Sequence, residues 1–205
     1  MRVIDSADAD AAGAAAAAVR EGLLVVLPTD TVYGLGADPR SPRAVDRLLT
    51  AKGRGRDKPS PVLVASVAQA EELAREAPDV AKALMDEFWP GALTLVLPSE
   101  RLGWDLGETN GTIALRMPNH PAALELLKEA GPLAVSSANL SGRPPAATVG
   151  EAVEQLGGKV AVYLDGGPCP GGAPSTIVSF DGGLMRVLRE GGVGRGELAR
   201  FGDVA

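Results

Sequence analysis

The chain has 205 residues, 45% hydrophobic and 22% charged with a net charge of −6, and a mean hydropathy of +0.09, proportions that suit one globular domain spanning residues 1–205. No apolar run approaches the roughly 18 residues of a membrane-spanning helix, and the acidic opening MRVIDSADAD lacks a signal-peptide pattern. A single cysteine, Cys169, excludes an internal disulfide and a cysteine-built zinc cage, so a cytoplasmic protein is expected.

In chain order, the Ala-rich stretch over 7–21 reads as a helix capped by Ser6. LLVVL (23–27) is a buried strand, followed by the turn PTDTVYGLG. SPRAVDRLLTAKG predicts a helix with Ser41 at the cap, Pro42 in the first turn and Gly53 past the end. PVLVA is a strand, two helices split at Pro78 fill 66–88, and ALTLVLP and TIALRMP are strands. Pro121 opens a helix that Gly131 stops. PLAVSS, a helix from about Thr148, VAVYLD, and a hairpin of STIVSF and LMRVL turning at Asp181–Gly183 complete the pattern. The Gly/Pro-rich segment 166–175 is expected to be a mobile lid. The alternation predicts one α/β domain with a mixed sheet.

Charge is distributed unevenly. Residues 40–58 hold seven basic and two acidic residues, a surplus of five, which leaves −11 for the rest of a chain whose total is −6. A local basic run on an acidic background favours a site for a small anion over a broad nucleic-acid surface. Neither a P-loop nor a complete G-x-G-x-x-G is present. His120, the only histidine, precedes Pro121 and suits a helix cap, and Cys169 has no activating neighbour in sequence. Carboxylates are not clustered at metal-ligand spacing, so triad, thiol and protein-caged metal chemistry are all disfavoured. What remains are loops with cations, hydroxyls and amides: Thr29-Asp30-Thr31, then Lys52, Arg54 and Lys58, then Ser136, Ser137, Asn139 and Ser141. Thr112 and Arg116, four apart, share one strand face. Such groups suit a substrate bearing phosphates and a carboxylate. PTDTVYGLG on its own is equally a hydrogen-bonded turn.

PTDTVYGLG, KGRGRDKP, ALRMPNHP, SSANLSG and STIV…LREG, in this order over about 22–192, resemble the motifs of the YrdC-type threonylcarbamoyl-AMP synthases in their short, single-domain form. The resemblance implies a YrdC-like fold, a twisted mixed sheet flanked by helices with a concave substrate cleft. It implies a nucleotidyltransferase that makes threonylcarbamoyl-adenylate and pyrophosphate from L-threonine, bicarbonate or CO2, and ATP, for modification of tRNA. By motif match, Lys52 and Arg54 act in catalysis. Thr29, Thr31, Tyr33, Arg116, Val135 and Ser175 or Thr176 hold threonine, and Arg54, Lys58, Thr112, Ser137, Asn139 and Arg189 hold ATP. Mg2+ is expected to arrive on ATP, with no ligands from protein side chains. Implied partners are the downstream threonylcarbamoyl-transferase proteins, with tRNA only indirect and no membrane. The match departs at KPSPVLVAS, where some relatives have a polar residue near Leu63 that touches threonine. A double-stranded RNA binder, a ribosome-maturation factor of the same fold and the carbamoyl-transfer module of hydrogenase maturation are the competing readings.

Overall fold

A computed structural model describes residues 1–99 and 103–205. Its centre is one mixed ten-stranded sheet. The chain runs β1 (Arg2–Asp5), α1 (Ala11–Arg20), β2 (Val25–Leu27), β3 (Gly34–Ala37), α2 (Pro42–Lys52), β4 (Val62–Leu63), α3 (Val67–Leu73), α4 (Asp79–Phe88), β5 (Leu93–Pro98) and β6 (Thr112–Arg116). It continues through α5 (Pro121–Ala130), β7 (Leu133–Ser137), α6 (Val149–Leu156), β8 (Val162–Asp165), β9 (Thr176–Asp181), β10 (Leu184–Arg189) and α7 (Arg195–Leu198). Strand order is β1-β8-β2-β3-β7-β4-β6-β5-β9-β10. The crossover pairs β1/β8, β2/β8, β4/β6 and β5/β9 are parallel, and β9/β10 is the expected antiparallel hairpin.

The start of the chain differs from expectation. Residues 2–5 pair with β8, and the Ser6 N–H donates to Asp165 O at 2.8 Å, so Ser6 extends a strand and does not cap α1. The helix begins only after Asp10. β3 also replaces what reads as a turn. A Cβ on Gly34 would stand 2.7 Å from Val135 Cγ1, and one on Gly36 3.3 Å from Val25 Cγ2. Here the glycines allow side chains of the neighbouring strands to cross over β3.

Each face of the sheet buries its own cluster. On one, α1 and α5 cover Val25, Leu27, Leu63, Leu133, Val135 and Val162. On the other, residues of α2, α4 and α6 cover Val26, Leu35, Val62, Leu95, Leu115 and Tyr163. The first cluster stops at β4, and over β5, β6 and β9 the alternate residues Val96, Ala114, Ile177 and Ser179 remain half-buried on a partly open face. No helix among the described residues is long and apolar enough to cross a membrane.

Candidate functional site

The well-punctuated helix α2 delivers the first cation. Ser41 Oγ accepts from the Ala44 N–H at 3.3 Å, and left-handed Gly53 (φ 65°) ends the helix while the Arg54 N–H reaches back to Leu49 O at 3.0 Å. Lys52, the last helical residue, is only 4% exposed. Its ammonium donates to Ser137 O and, at 2.9 Å, to Asn139 O, with Ser137 Oγ at 3.5 Å and Asn139 Oδ1 at 3.4 Å. Burial, reinforced by neighbouring Arg54, brings its pKa down to about 8. Arg54 donates from Nε to Lys58 O (3.0 Å) and from Nη1 to Ser136 Oγ (3.0 Å). These residues, with Lys58, Ser137, Asn139, Ser141 and Arg189, line a cleft of about 470 Å³.

Beside it lies a second, more buried cluster. Arg116, the last residue of β6, is 7% exposed and donates to Gly91 O (3.0 Å), Thr31 Oγ1 (3.1 Å) and Asp30 Oδ1 (2.7 Å). Ser175 Oγ lies 2.8 Å from Thr94 Oγ1 and accepts from Arg189 Nη2 at 3.0 Å. Arg189 joins the two clusters: burial first, then the positive fields of Arg116 and Arg54, hold its guanidinium below its ordinary pKa. Lys52, Arg54, Lys58, Ser137 and Arg189 thus line one cleft, and Arg189, bonded to Ser175 and within the field of Arg116, links it to the cluster of Thr31, Arg116 and Ser175. Val135, 7% exposed, lies on the same sheet face as Arg116. Thr112 opens the same strand, its hydroxyl donating to Thr109 O at 2.7 Å. Leu63 pairs with Arg116 in register and is buried.

Four expected site residues have their polar groups held by partners within the protein. Thr29 Oγ1 accepts the Thr31 and Val32 N–H groups and lies 2.6 Å from Val32 O, so it builds the turn. Tyr33 is fully buried. Its hydroxyl donates to Gly167 O at 2.7 Å and accepts the Gly166 N–H at 3.2 Å, and burial pushes its pKa up to about 12. Thr176 points to the opposite sheet face, fully buried, and donates to Val193 O at 2.6 Å. Strand alternation explains why Ser175 takes the cleft side. Asn139 lines the cleft, but both of its amide hydrogens hold Leu140 O and Arg143 O, so it shapes the wall around Lys52.

The segment 166–175 is not a free lid. Besides the Tyr33 bonds, Cys169 N–H donates to Ala147 O (2.8 Å), Gly171 N–H to Thr31 O (3.0 Å) and Gly192 N–H to Pro174 O (2.9 Å). Tyr33→Phe should therefore cost about 1–3 kcal/mol of stability, the worth of a lost buried hydrogen-bond partner. A lowered melting temperature with unchanged ATP dependence is the expected result. His120 sits at the N-cap of α5 without a side-chain cap bond, and its buried Nδ1 has no hydrogen-bond partner among the described residues. Cys169 is buried, with its pKa raised chiefly by that burial. Two cluster members, Asp30 and Thr94, have no role in the reading from sequence. The signals were a carboxylate inside TDT and a lone polar residue within the apolar run ALTLVLP.

The architecture is thus an α/β mixed sheet with a cationic cleft beside a buried arginine–carboxylate pair. The chain belongs to the Sua5/YciO/YrdC family, whose model, described as "Telomere recombination", matches residues 17–191. It is 54% identical over 186 residues to a Mycobacterium tuberculosis protein that carries the name threonylcarbamoyl-AMP synthase provisionally, covering 90% of this chain and 86% of that one. It is 44% identical over 187 residues to the Bacillus subtilis threonylcarbamoyl-AMP synthase, covering 90% of this chain and 54% of the relative. The Pyrococcus abyssi Sua5 crystal structure complexed with L-threonine superposes with a TM-score of 0.87 at 38% identity, over 95% of this chain and 58% of that one. The chain thus spans little more than half the length of the last two proteins.

Proposed function

We propose that this chain is a threonylcarbamoyl-AMP synthase, a nucleotidyltransferase that joins L-threonine, bicarbonate and ATP into threonylcarbamoyl-adenylate and pyrophosphate for tRNA modification. The observation that carries this reading is the convergence of Lys52, Arg54 and Arg189 beside buried Arg116, in a family whose named relatives bear this activity. Once the threonine amine has become a carbamate, the attacking oxygen is already anionic. Its attack on the α-phosphorus, with pyrophosphate leaving, needs no general base; it needs positioning and neutralisation of developing charge. Lys52 and Arg54 supply that charge next to the phosphates and the carbamate, and Lys58, Ser137, Thr112 and Arg189 complete the nucleotide side. Arg116, with Thr31, Val135 and Ser175, takes the amino acid. Arg116 has five N–H groups, three of which are used, so two remain for a carboxylate.

Mg2+ comes as the ATP complex, since the cleft lining contains a single carboxylate, Asp57. No group of three or more metal-ligating side chains occurs among the described residues. The unstable product passes to threonylcarbamoyl-transferase proteins in the cytoplasm. The RNA-binding reading is disfavoured because the basic segment is not one face. Arg40 pairs with Asp38, Arg56 pairs with both Asp46 and Asp105, and Arg43 and Arg47 line a separate pocket, so only Lys52, Arg54 and Lys58 of the segment are at the cleft.

Incubating the purified protein with ATP, bicarbonate and labelled threonine should yield pyrophosphate and labelled adenylate in equal amounts. Absence of both at every Mg2+ concentration would overturn the assignment and favour the RNA-binding alternative.

A further inference from the structure

We propose that Asp30 receives the ammonium group of the amino-acid substrate, so that the buried Arg116–Asp30 pair is a charge-matched cradle for a zwitterion. This rests on the function proposed above and extends it to Asp30, which lies within PTDTVYGLG but to which the motif match assigns no role of its own.

The side chains of Arg116 and Asp30 are only 8% and 15% exposed. Asp30 Oδ1 is saturated by Arg116 Nη2 at 2.7 Å and the Asn119 N–H at 2.9 Å, whereas Oδ2 accepts no hydrogen bond from the described residues. A pocket meant only for a carboxylate would keep its positive charge in surplus. Here a carboxylate cancels it, and burying such a pair carries a desolvation cost. A ligand with both signs repays that cost: its carboxylate meets the two remaining N–H groups of Arg116, and its ammonium meets Asp30 Oδ2. The adjoining cleft, with Lys52, Arg54, Lys58 and Arg189 against Asp57, has the opposite balance and suits polyphosphate.

The two charge patterns also direct the intermediate. Carboxylation forms an N–C bond between the amine and bicarbonate, releases water and a proton, and turns a cationic nitrogen substituent into an anionic one. Beside Asp30 that new anion is repelled; toward Lys52 and Arg54 it is attracted. Arg189, within the fields of both Arg116 and Arg54, lies between. The same residues that hold the zwitterion thus turn the carbamate toward the phosphates.

The alternative is that Asp30 is only the counter-ion of Arg116. Calorimetric titration of wild type, Asp30→Asn and Asp30→Glu with threonine and with 3-hydroxybutanoate, which lacks the amine, separates the two. Wild type should prefer threonine by ~10- to 100-fold, the range expected of a hydrogen bond to a charged group. Asp30→Asn should lose that preference through weaker threonine binding while 3-hydroxybutanoate binds as well or better. Asp30→Glu should retain it. Equal weakening of both ligands in Asp30→Asn would mean a misplaced Arg116 and overturn the proposal. Equal affinity of wild type for the two ligands would overturn it without any variant having to fold. If wild type binds threonine but Asp30→Asn binds it equally well, the proposal fails alone; if wild type binds no threonine, the synthase reading fails with it.

Discussion

Arg116→Lys should weaken threonine binding by roughly 10- to 150-fold while leaving ATP affinity nearly unchanged. The charge survives, but the planar fork does not: one ammonium cannot reproduce three donors aimed separately at Gly91 O, Thr31 Oγ1 and Asp30 Oδ1 while offering two more to a ligand. The magnitude corresponds to about 1.5–3 kcal/mol for a hydrogen bond to a charged group. Because the same fork ties three chain segments, the melting temperature should also fall. The separation of effects is what tests the role. Arg54→Lys should show the opposite bias, weakening ATP more than threonine, since Arg54 lines the phosphate-side cleft. An Arg116→Lys variant with reduced thermal stability but an unaltered threonine titration would assign Arg116 to the scaffold and refute its place in the site.

Between pH 8 and about 10.5, ATP affinity and folding stability should move in opposite directions. Lys52 titrates near 8 in the folded protein against 10.5 ordinarily, chiefly because burial disfavours its ammonium. Below pH 8 the folded and unfolded chains both carry the proton, and the full cost of burying the charge opposes folding. Between the two values the unfolded chain holds a proton that the folded chain lacks, so stability rises with pH, by on the order of 3 kcal/mol in all. ATP, in contrast, needs the ammonium, and its affinity should fall as pH passes 8. Lys52→Met should weaken ATP at every pH and remove this contribution to the stability slope. Denaturant titrations of both proteins at pH 7.5 and 10 provide the comparison. A variant whose stability rises as much as wild type would show that Lys52 is not the titrating group.

Of the cations singled out by the motif resemblance, Lys52, Arg54, Lys58 and Arg189, distant in sequence, line one cleft, and Arg116 acts on Arg189 from the cluster next to it. Hydroxyls and amides were less legible, because a Thr, Tyr or Asn serves a turn, a buried tie or a ligand with the same atoms. Thr29 closes its own turn, Tyr33 anchors 166–167, Thr176 faces the other side of the sheet and Asn139 binds its own loop. Glycines misled in two directions. The pair Gly34 and Gly36 belongs to a central strand, and the Gly/Pro-rich 166–175 segment is tied down by hydrogen bonds to distant residues.

By itself the sequence determined the alternation of strands and helices, the punctuation of α2 by Ser41, Pro42 and Gly53, and the local excess of positive charge at 40–58. Those are properties of neighbours along the chain: periodicity, capping chemistry and charge count. Tertiary structure decided which of those charges remain available. Arg56 is paired with Asp46 and Asp105, whereas Lys52 is buried beside Arg54, and that burial lowers its proton affinity even though carbonyls accept from its ammonium. It also decided that Asp30 meets Arg116 across 86 residues of chain: the loop after β2 reaches the end of β6 although β3, β7 and β4 lie between the two strands, a placement that no local pattern encodes. Burial, and with it the strength of every charge in the site, depends on partners that only the packed sheet assembles.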